Sequence, residues 1–242
     1  MEPTIPGRSN SIIQPKYQKI NFVMKLFLDT ADVSEITRAL VQNPGMIDGI
    51  TTNPTLIMKS GRQPEDVYKE ILDLGIEDLS MEVVGNAEDM INEGLRLYRK
   101  FGHAATIKVP CTVDGLVACK TLADSNIRVN VTLIFCAAQA ILAAKAGAAY
   151  VSPFIGRCDD NSVAGQEVVR SIAELYARQR VQTQVLAASI RDVYKVTRAF
   201  YNGADIVTMP PKIFHKMYNH ILTQDGVAQF NWDWEKVNGN VQ

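Results

Sequence analysis

From residue 25 onward the chain alternates between short β-branched or aliphatic runs and longer segments whose apolar residues recur at helical spacing. The first run, 26–30, precedes a helix with Asp32 as N-cap and Glu35 three residues on, a capping-box arrangement. Run 49–52 precedes a helix opened by Pro64 and lined by Val67, Ile71 and Leu74. Run 79–84 leads to a helix over about 86–100, stopped by Gly102. Run 105–109 is followed by a helix after Thr112 through Leu122, and run 129–135 by an Ala-rich helix stopped by Gly147. Run 150–155 passes through a polar loop to a helix around 166–178, and run 184–188 to a helix ending near Gly203. The last run, 206–209, meets Pro210 and Pro211 and then an amphipathic stretch through Leu222.

These are about eight strand–helix units, with strands apolar on both faces, as parallel strands covered by helices are. An open doubly wound sheet would carry a glycine-rich phosphate loop after its first strand, where this chain has DTADVSE. Eight evenly spaced units favour an α/β (β/α)8 TIM barrel with an extra C-terminal helix. The expected organisation is an extension over 1–23, a barrel over 24–222 and a helical tail over 223–242. The extension lacks apolar period and contains three prolines, so it is expected to be disordered, and it has no secretory-signal pattern. The tail carries Phe230, Trp232 and Trp234, too apolar to leave in water, and is expected to pack on the barrel or on a neighbouring subunit.

In such a barrel the active site lies at the C-terminal ends of the strands, and one residue parity points inward. Polar residues share a parity on run after run: Thr106 with Lys108, Asn130 with Thr132, Thr51 with Asn53, Ser80 with Glu82. Asp29 stands opposite Leu26 and Leu28, the sixth run offers Ser152 and Phe154, and the seventh runs out through Ser189 to Arg191. Singly, each has an ordinary explanation: Asp29 as a helix cap, Asn53 before Pro54 as a turn residue, Glu82 as an ion-pair partner, Arg191 as a solvated cation. Together they form a polar ring around one lysine. Lys108 sits inside the apolar run ATIKVP, where burial favours the neutral, nucleophilic amine unless a partner holds the charge. The alternative is a lysine whose stem lies along apolar surface while its head reaches water.

Composition narrows the partners. A net charge of −1 argues against nucleic acid and membrane surfaces, and no apolar stretch reaches a membrane span. The four cysteines form no CxxC pair, which favours a reducing, cytoplasmic setting. His103, His215 and His220 share no metal-ligand spacing, and no metal site is expected.

The motifs LDTADV, GITTNPTLI, IKVPCT, NVTLIF, SPFIGRCDD and VLAASIR, in this order and spacing, resemble the transaldolase family, above all its short members, which include fructose-6-phosphate aldolases. The resemblance covers residues 24 to 211 and implies a class I aldolase barrel that needs no metal or organic cofactor. It implies Lys108 as the Schiff-base lysine and Asp29 as the carboxylate that works on the substrate hydroxyl. Glu82 with Thr132 would hold the catalytic water. Asn53, Asn130 and Ser152 would bind sugar hydroxyls, with Thr51 and Phe154 lining the same site. Arg157, Ser189 and Arg191 would take the sugar phosphate. Fructose-6-phosphate aldolases typically have Gln where this chain has Glu82 and Tyr where it has Phe154, so the resemblance favours transaldolase, transferring a three-carbon dihydroxyacetone unit between sugar phosphates of the pentose phosphate pathway. The alternatives are an aldolase releasing dihydroxyacetone, a deoxyribose-phosphate type of Schiff-base aldolase, and a non-catalytic phosphosugar-binding barrel. Short members of the family form rings of five or ten subunits, so a homo-oligomer is expected.

Overall fold

The computed structural model describes residues 24–239, so the expected extension over 1–23 lies outside the described residues. Eight parallel strands close in chain order: β1 (Lys25–Asp29), β2 (Gly49–Thr51), β3 (Leu79–Glu82), β4 (Ala105–Pro110), β5 (Val129–Ile134), β6 (Tyr150–Pro153), β7 (Gln184–Ala187) and β8 (Ile206–Met209), which pairs back to β1. Helix α1 (Val33–Gln42) follows β1, while α2 (Pro54–Ser60) and α3 (Pro64–Asp73) follow β2. Then come α4 (Ala87–Phe101), α5 (Val113–Asp124) and α6 (Ala137–Lys145) after β3, β4 and β5. Helices α7 (Ile155–Asp160) and α8 (Gly165–Gln179) follow β6, α9 (Val193–Tyr201) follows β7, and α10 (Pro211–Lys216) and α11 (Ile221–Val237) end the chain. The fold is the (β/α)8 barrel that the alternation predicts.

Strand alternation divides the apolar residues into two unequal sets. Outward residues such as Leu28, Ile50, Met81, Ile107, Val131, Val151 and Val207 pack with Ile36, Ile71, Met90, Leu122, Ile172 and Val196 from the helices. Each such side chain, fully buried, contributes on the order of 1.5–3 kcal/mol, so this shell holds the barrel together. The inward set is small: Phe27, Tyr150, Leu186, Ala188 and Ile206. Gly49 belongs here by necessity, since a Cβ on it would lie 2.5 Å from the Phe27 ring. Most other inward positions are polar.

Helices α2 and α7 are absent from the expected pattern. Both are too short to display a helical period, and Asn53-Pro54 reads as a turn although it is also a favourable helix start. Asn53 is the N-cap of α2, its side chain accepting from the Leu56 amide at 3.0 Å. Asp32 caps α1, but Glu35 does not complete the expected box; its carboxylate faces Arg38 and His215 instead. The reciprocal box belongs to α4, between Asn86 and Asp89. At the C-terminus α11 starts at Ile221 and buries no side chain. Phe230, Trp232 and Trp234 remain 73%, 48% and 68% exposed, so within the described residues they do not pack on the barrel.

Candidate active site

The inward positions of β1 to β6 and β8 stack polar groups in layers along the barrel axis. At the N-terminal end, Asp78 accepts from Thr106 (2.7 Å), Arg128 (2.9 Å) and Tyr150 (2.6 Å). Above it runs a neutral chain: Ser152 donates to Asn130 Oδ1 (2.7 Å) and Asn130 donates to Ser80 (3.3 Å). At the C-terminal end Lys108, only 5% exposed, holds its Nζ 2.9 Å from Glu82 Oε2 and donates to the Thr52 carbonyl at 3.1 Å. Adjacent register positions make this pair: Glu82 on β3 sits beside Lys108 on β4.

Asp29, the last residue of β1, accepts from Thr51 at 2.9 Å, and Thr51 in turn lies 2.6 Å from the Thr208 hydroxyl. Burial raises the Asp29 pKa, against the lowering effects of the Lys108 charge and the Thr51 hydrogen bond, with Glu82 adding to the rise. The result is a carboxyl that takes up a proton more readily than an exposed one, facing the same space as an amine.

That space is a cavity of about 130 Å³ lined by Asp29, Thr51, Asn53, Lys108, Ser152, Phe154, Arg157, Leu186, Ala188, Ser189 and Thr208. It is far smaller than the surface grooves elsewhere on the molecule, one of which reaches about 850 Å³, yet it alone among these contains Lys108 and a carboxyl whose pKa burial raises. Chemistry decides between them, and the small cavity is the candidate site.

Two left-handed residues shape its rim. At Leu133 (φ 60°) the β5–β6 register breaks, so Ile134 joins the outer apolar shell and Phe135 swings to Phe154, ring centroids 6.1 Å apart. Thr132, just before the break, is fully buried, and among the described residues its hydroxyl has no hydrogen-bond partner. A buried hydroxyl in this condition is a natural seat for water. Ser189 (φ 60°) does the same at the end of β7, turning its side chain into the cavity next to Ala188. A side chain at Gly156 would intrude here, its Cβ 2.6 Å from Arg191 Nε and 2.8 Å from Ser189 Oγ.

Nine of the residues expected from the sequence therefore line the cavity or pair with its lysine: Asp29, Thr51, Asn53, Glu82, Lys108, Ser152, Phe154, Arg157 and Ser189. Asn130 and Thr132 lie one step behind them in the barrel interior. Arg191 stands apart. Its guanidinium is half exposed at the rim and engaged by Asp160 through both terminal nitrogens. Arg157 is better placed, lining the cavity and stacking over the Phe154 ring at 4.9 Å. Sequence reasoning missed Thr208; the alternation of Ile206 and Thr208 against Val207 and Met209 is the signal that marks it as inward.

Among the described residues no cluster of His, Cys, Asp and Glu is suited to hold a metal ion, and no helix is long and apolar enough to cross a membrane. Comparison with known proteins gives one consistent result. The model of the transaldolase/fructose-6-phosphate aldolase family matches residues 26–241. A probable transaldolase of Paracoccus denitrificans is 53% identical over 215 residues, 88% of this chain and 98% of the relative. Probable transaldolases of Dinoroseobacter shibae and of an Anaeromyxobacter species (strain K) are each 50% identical over the same coverage.

Proposed function

The chain belongs to the transaldolase/fructose-6-phosphate aldolase family, and from that premise we propose that it is a transaldolase working through a Schiff base on Lys108. The observation that carries this reading is the buried Lys108 amine in one small cavity with Asp29, with Glu82 at 2.9 Å. Glu82 is near enough to take a proton from Nζ, leaving the amine lone pair free to attack the C2 carbonyl of a ketose phosphate. Loss of the C2 oxygen as water gives the iminium, and the unpartnered Thr132 hydroxyl supports a seat for that water beside the pair.

Asp29 then takes the proton of the C4 hydroxyl. The C3–C4 bond breaks, its electrons pass into the iminium as an enamine, and an aldose phosphate leaves. A second aldose phosphate enters, the enamine carbon attacks its aldehyde, and Asp29 returns the proton to the new hydroxyl. Hydrolysis of the iminium releases the lengthened ketose phosphate. An Asp29 carboxyl that holds its proton more tightly than usual suits both directions of transfer. In this reading Ser152 and Asn53, which line the cavity, hold the sugar hydroxyls, and Arg157 holds the phosphate through charge-assisted bonds.

Glu82 and Phe154 favour transfer over release of dihydroxyacetone. Phe154, backed by Phe135, gives the enamine an apolar cover with no hydroxyl to deliver a proton. The proposal also includes a cytoplasmic location, consistent with four free thiols, and self-association through the apolar residues that α11 leaves in solvent. The deciding experiment is a parallel assay with fructose 6-phosphate, with and without erythrose 4-phosphate. Turnover only with the acceptor is expected; release of dihydroxyacetone at an equal rate without it would make the protein an aldolase.

A further inference from the structure

On β8, Ile206 joins the interior apolar set while Val207 and Met209 join the outer shell, so Thr208 is inward by alternation. It is 3% exposed and lies on the cavity wall. Its Oγ1 is 2.6 Å from Thr51 Oγ1, which is 2.9 Å from Asp29 Oδ1. Each hydroxyl has a single proton to give, and an ionised carboxylate only accepts. With Asp29 ionised, the Thr51 proton points at the carboxylate, so the contact between the two threonines must be made by the proton of Thr208.

We propose that Thr208 is a positioning residue for Asp29: it donates to Thr51, fixes the direction of the Thr51 proton, and so strengthens the hydrogen bond that supports the ionised carboxylate. This rests on the reading of Asp29 as the group that takes up the substrate proton. The same three groups can run the other way. Once Asp29 holds the proton, its O–H donates to Thr51, Thr51 donates to Thr208, and the Thr208 proton is free toward the cavity. No covalent bond changes in that reversal; only the donors exchange roles.

Two threonines that merely satisfied each other would leave Asp29 titration untouched, and this separates the two accounts. Donor chains of this kind strengthen each bond by roughly 10–30%, which on a charge-assisted hydrogen bond corresponds to a shift of about 0.1–0.7 pH unit in the group at the end. The test is the pH dependence of kcat for fructose 6-phosphate with erythrose 4-phosphate, in Thr208→Val, Thr208→Ala and Thr208→Ser. The acid limb should move to higher pH by about 0.1–0.7 unit in the Val and Ala variants and return to its original position in the Ser variant. A limb that stays in place or moves to lower pH in Val and Ala, or that moves equally in Ser, overturns the proposal. Borohydride trapping of the unsubstituted protein with fructose 6-phosphate runs alongside. No adduct on Lys108 overturns both the aldol reading and this inference, whereas an adduct with an unmoved acid limb overturns the role of Thr208 alone.

Discussion

One barrel interior contains two cation–carboxylate pairs, and they are built to opposite ends. At the N-terminal end Asp78 has three donors on its two oxygens, from Thr106, Arg128 and Tyr150. Arg128 also reaches the carbonyls of Glu77 and His103. At the C-terminal end, among the described residues, Lys108 has one carboxylate and one carbonyl for its three donors, Asp29 has only Thr51, and Thr132 has no partner. The residue types are similar and both groups are largely buried. What differs is spare capacity. A saturated group fixes the register of β3 to β6, while an unsaturated one still has bonds to offer a substrate.

The largest test of this contrast is Lys108→Met. It removes the only amine among the described residues that line the cavity, so kcat should fall by about 10⁴-fold or more, and borohydride should trap no sugar adduct. Retention of measurable turnover near the original rate would place the chemistry elsewhere.

Asp29→Asn sharpens the contrast because activity and stability should move apart. Loss of a positioned acid–base group costs about 10²–10⁴-fold in kcat. Stability should move the other way. Burial raises the folded-state pKa of Asp29 above its ordinary value near 3.8, so the folded protein binds this proton more tightly than the unfolded chain does. That contribution is fully present below the unfolded value and is lost as pH rises through the folded one. At neutral pH the ionised carboxylate therefore counts against folding, and the amide should raise the melting temperature. The gain should vanish when the comparison is made at a pH where Asp29 is protonated in both states. A lower melting temperature for the Asn variant at neutral pH would mean that Asp29 is a structural carboxylate like Asp78.

The sequence showed the saturated and unsaturated ends unequally. Polar parity made the inward face that leads to the C-terminal end legible, because Thr106 with Lys108, Asn130 with Thr132 and Ser80 with Glu82 each repeat at the strand period of two. The N-terminal cluster has no local spacing: Asp78 meets Thr106, Arg128 and Tyr150 from strands 28, 50 and 72 residues further along the chain. Thr208 was hidden for another reason, since a lone Thr among Ile, Val and Met reads as a β-branched strand former. The left-handed turns at Leu133 and Ser189 also escape the pattern, as neither residue favours that conformation; the surrounding barrel imposes it. Arg191 is the opposite case: its motif points to the phosphate site, while its guanidinium pairs at the rim with Asp160 on α7.

Arg128→Met acts at the saturated end and has the smallest expected effect of the three. Removing the guanidinium leaves Asp78, 6% exposed as a residue, with Thr106 and Tyr150 as its remaining donors. Breaking a fully buried pair costs about 3–5 kcal/mol, but the Arg128 side chain is 36% exposed and water can replace part of what is lost, so about 2 kcal/mol is expected. Tyr150 stays protonated and keeps donating to Asp78, because burial and the adjacent Asp78 charge both push its pKa up. The loss should appear as a lower urea midpoint with an unchanged slope, while kcat of the folded variant stays within about twofold, since no residue of this cluster lines the cavity. Adding Asp78→Asn removes the orphaned charge, and the double variant should recover part of the stability that Arg128→Met loses. If instead the single variant keeps its stability and loses turnover, the two ends of the barrel are coupled through Asn130 and Ser80, and the division between a structural pair and a reactive one fails.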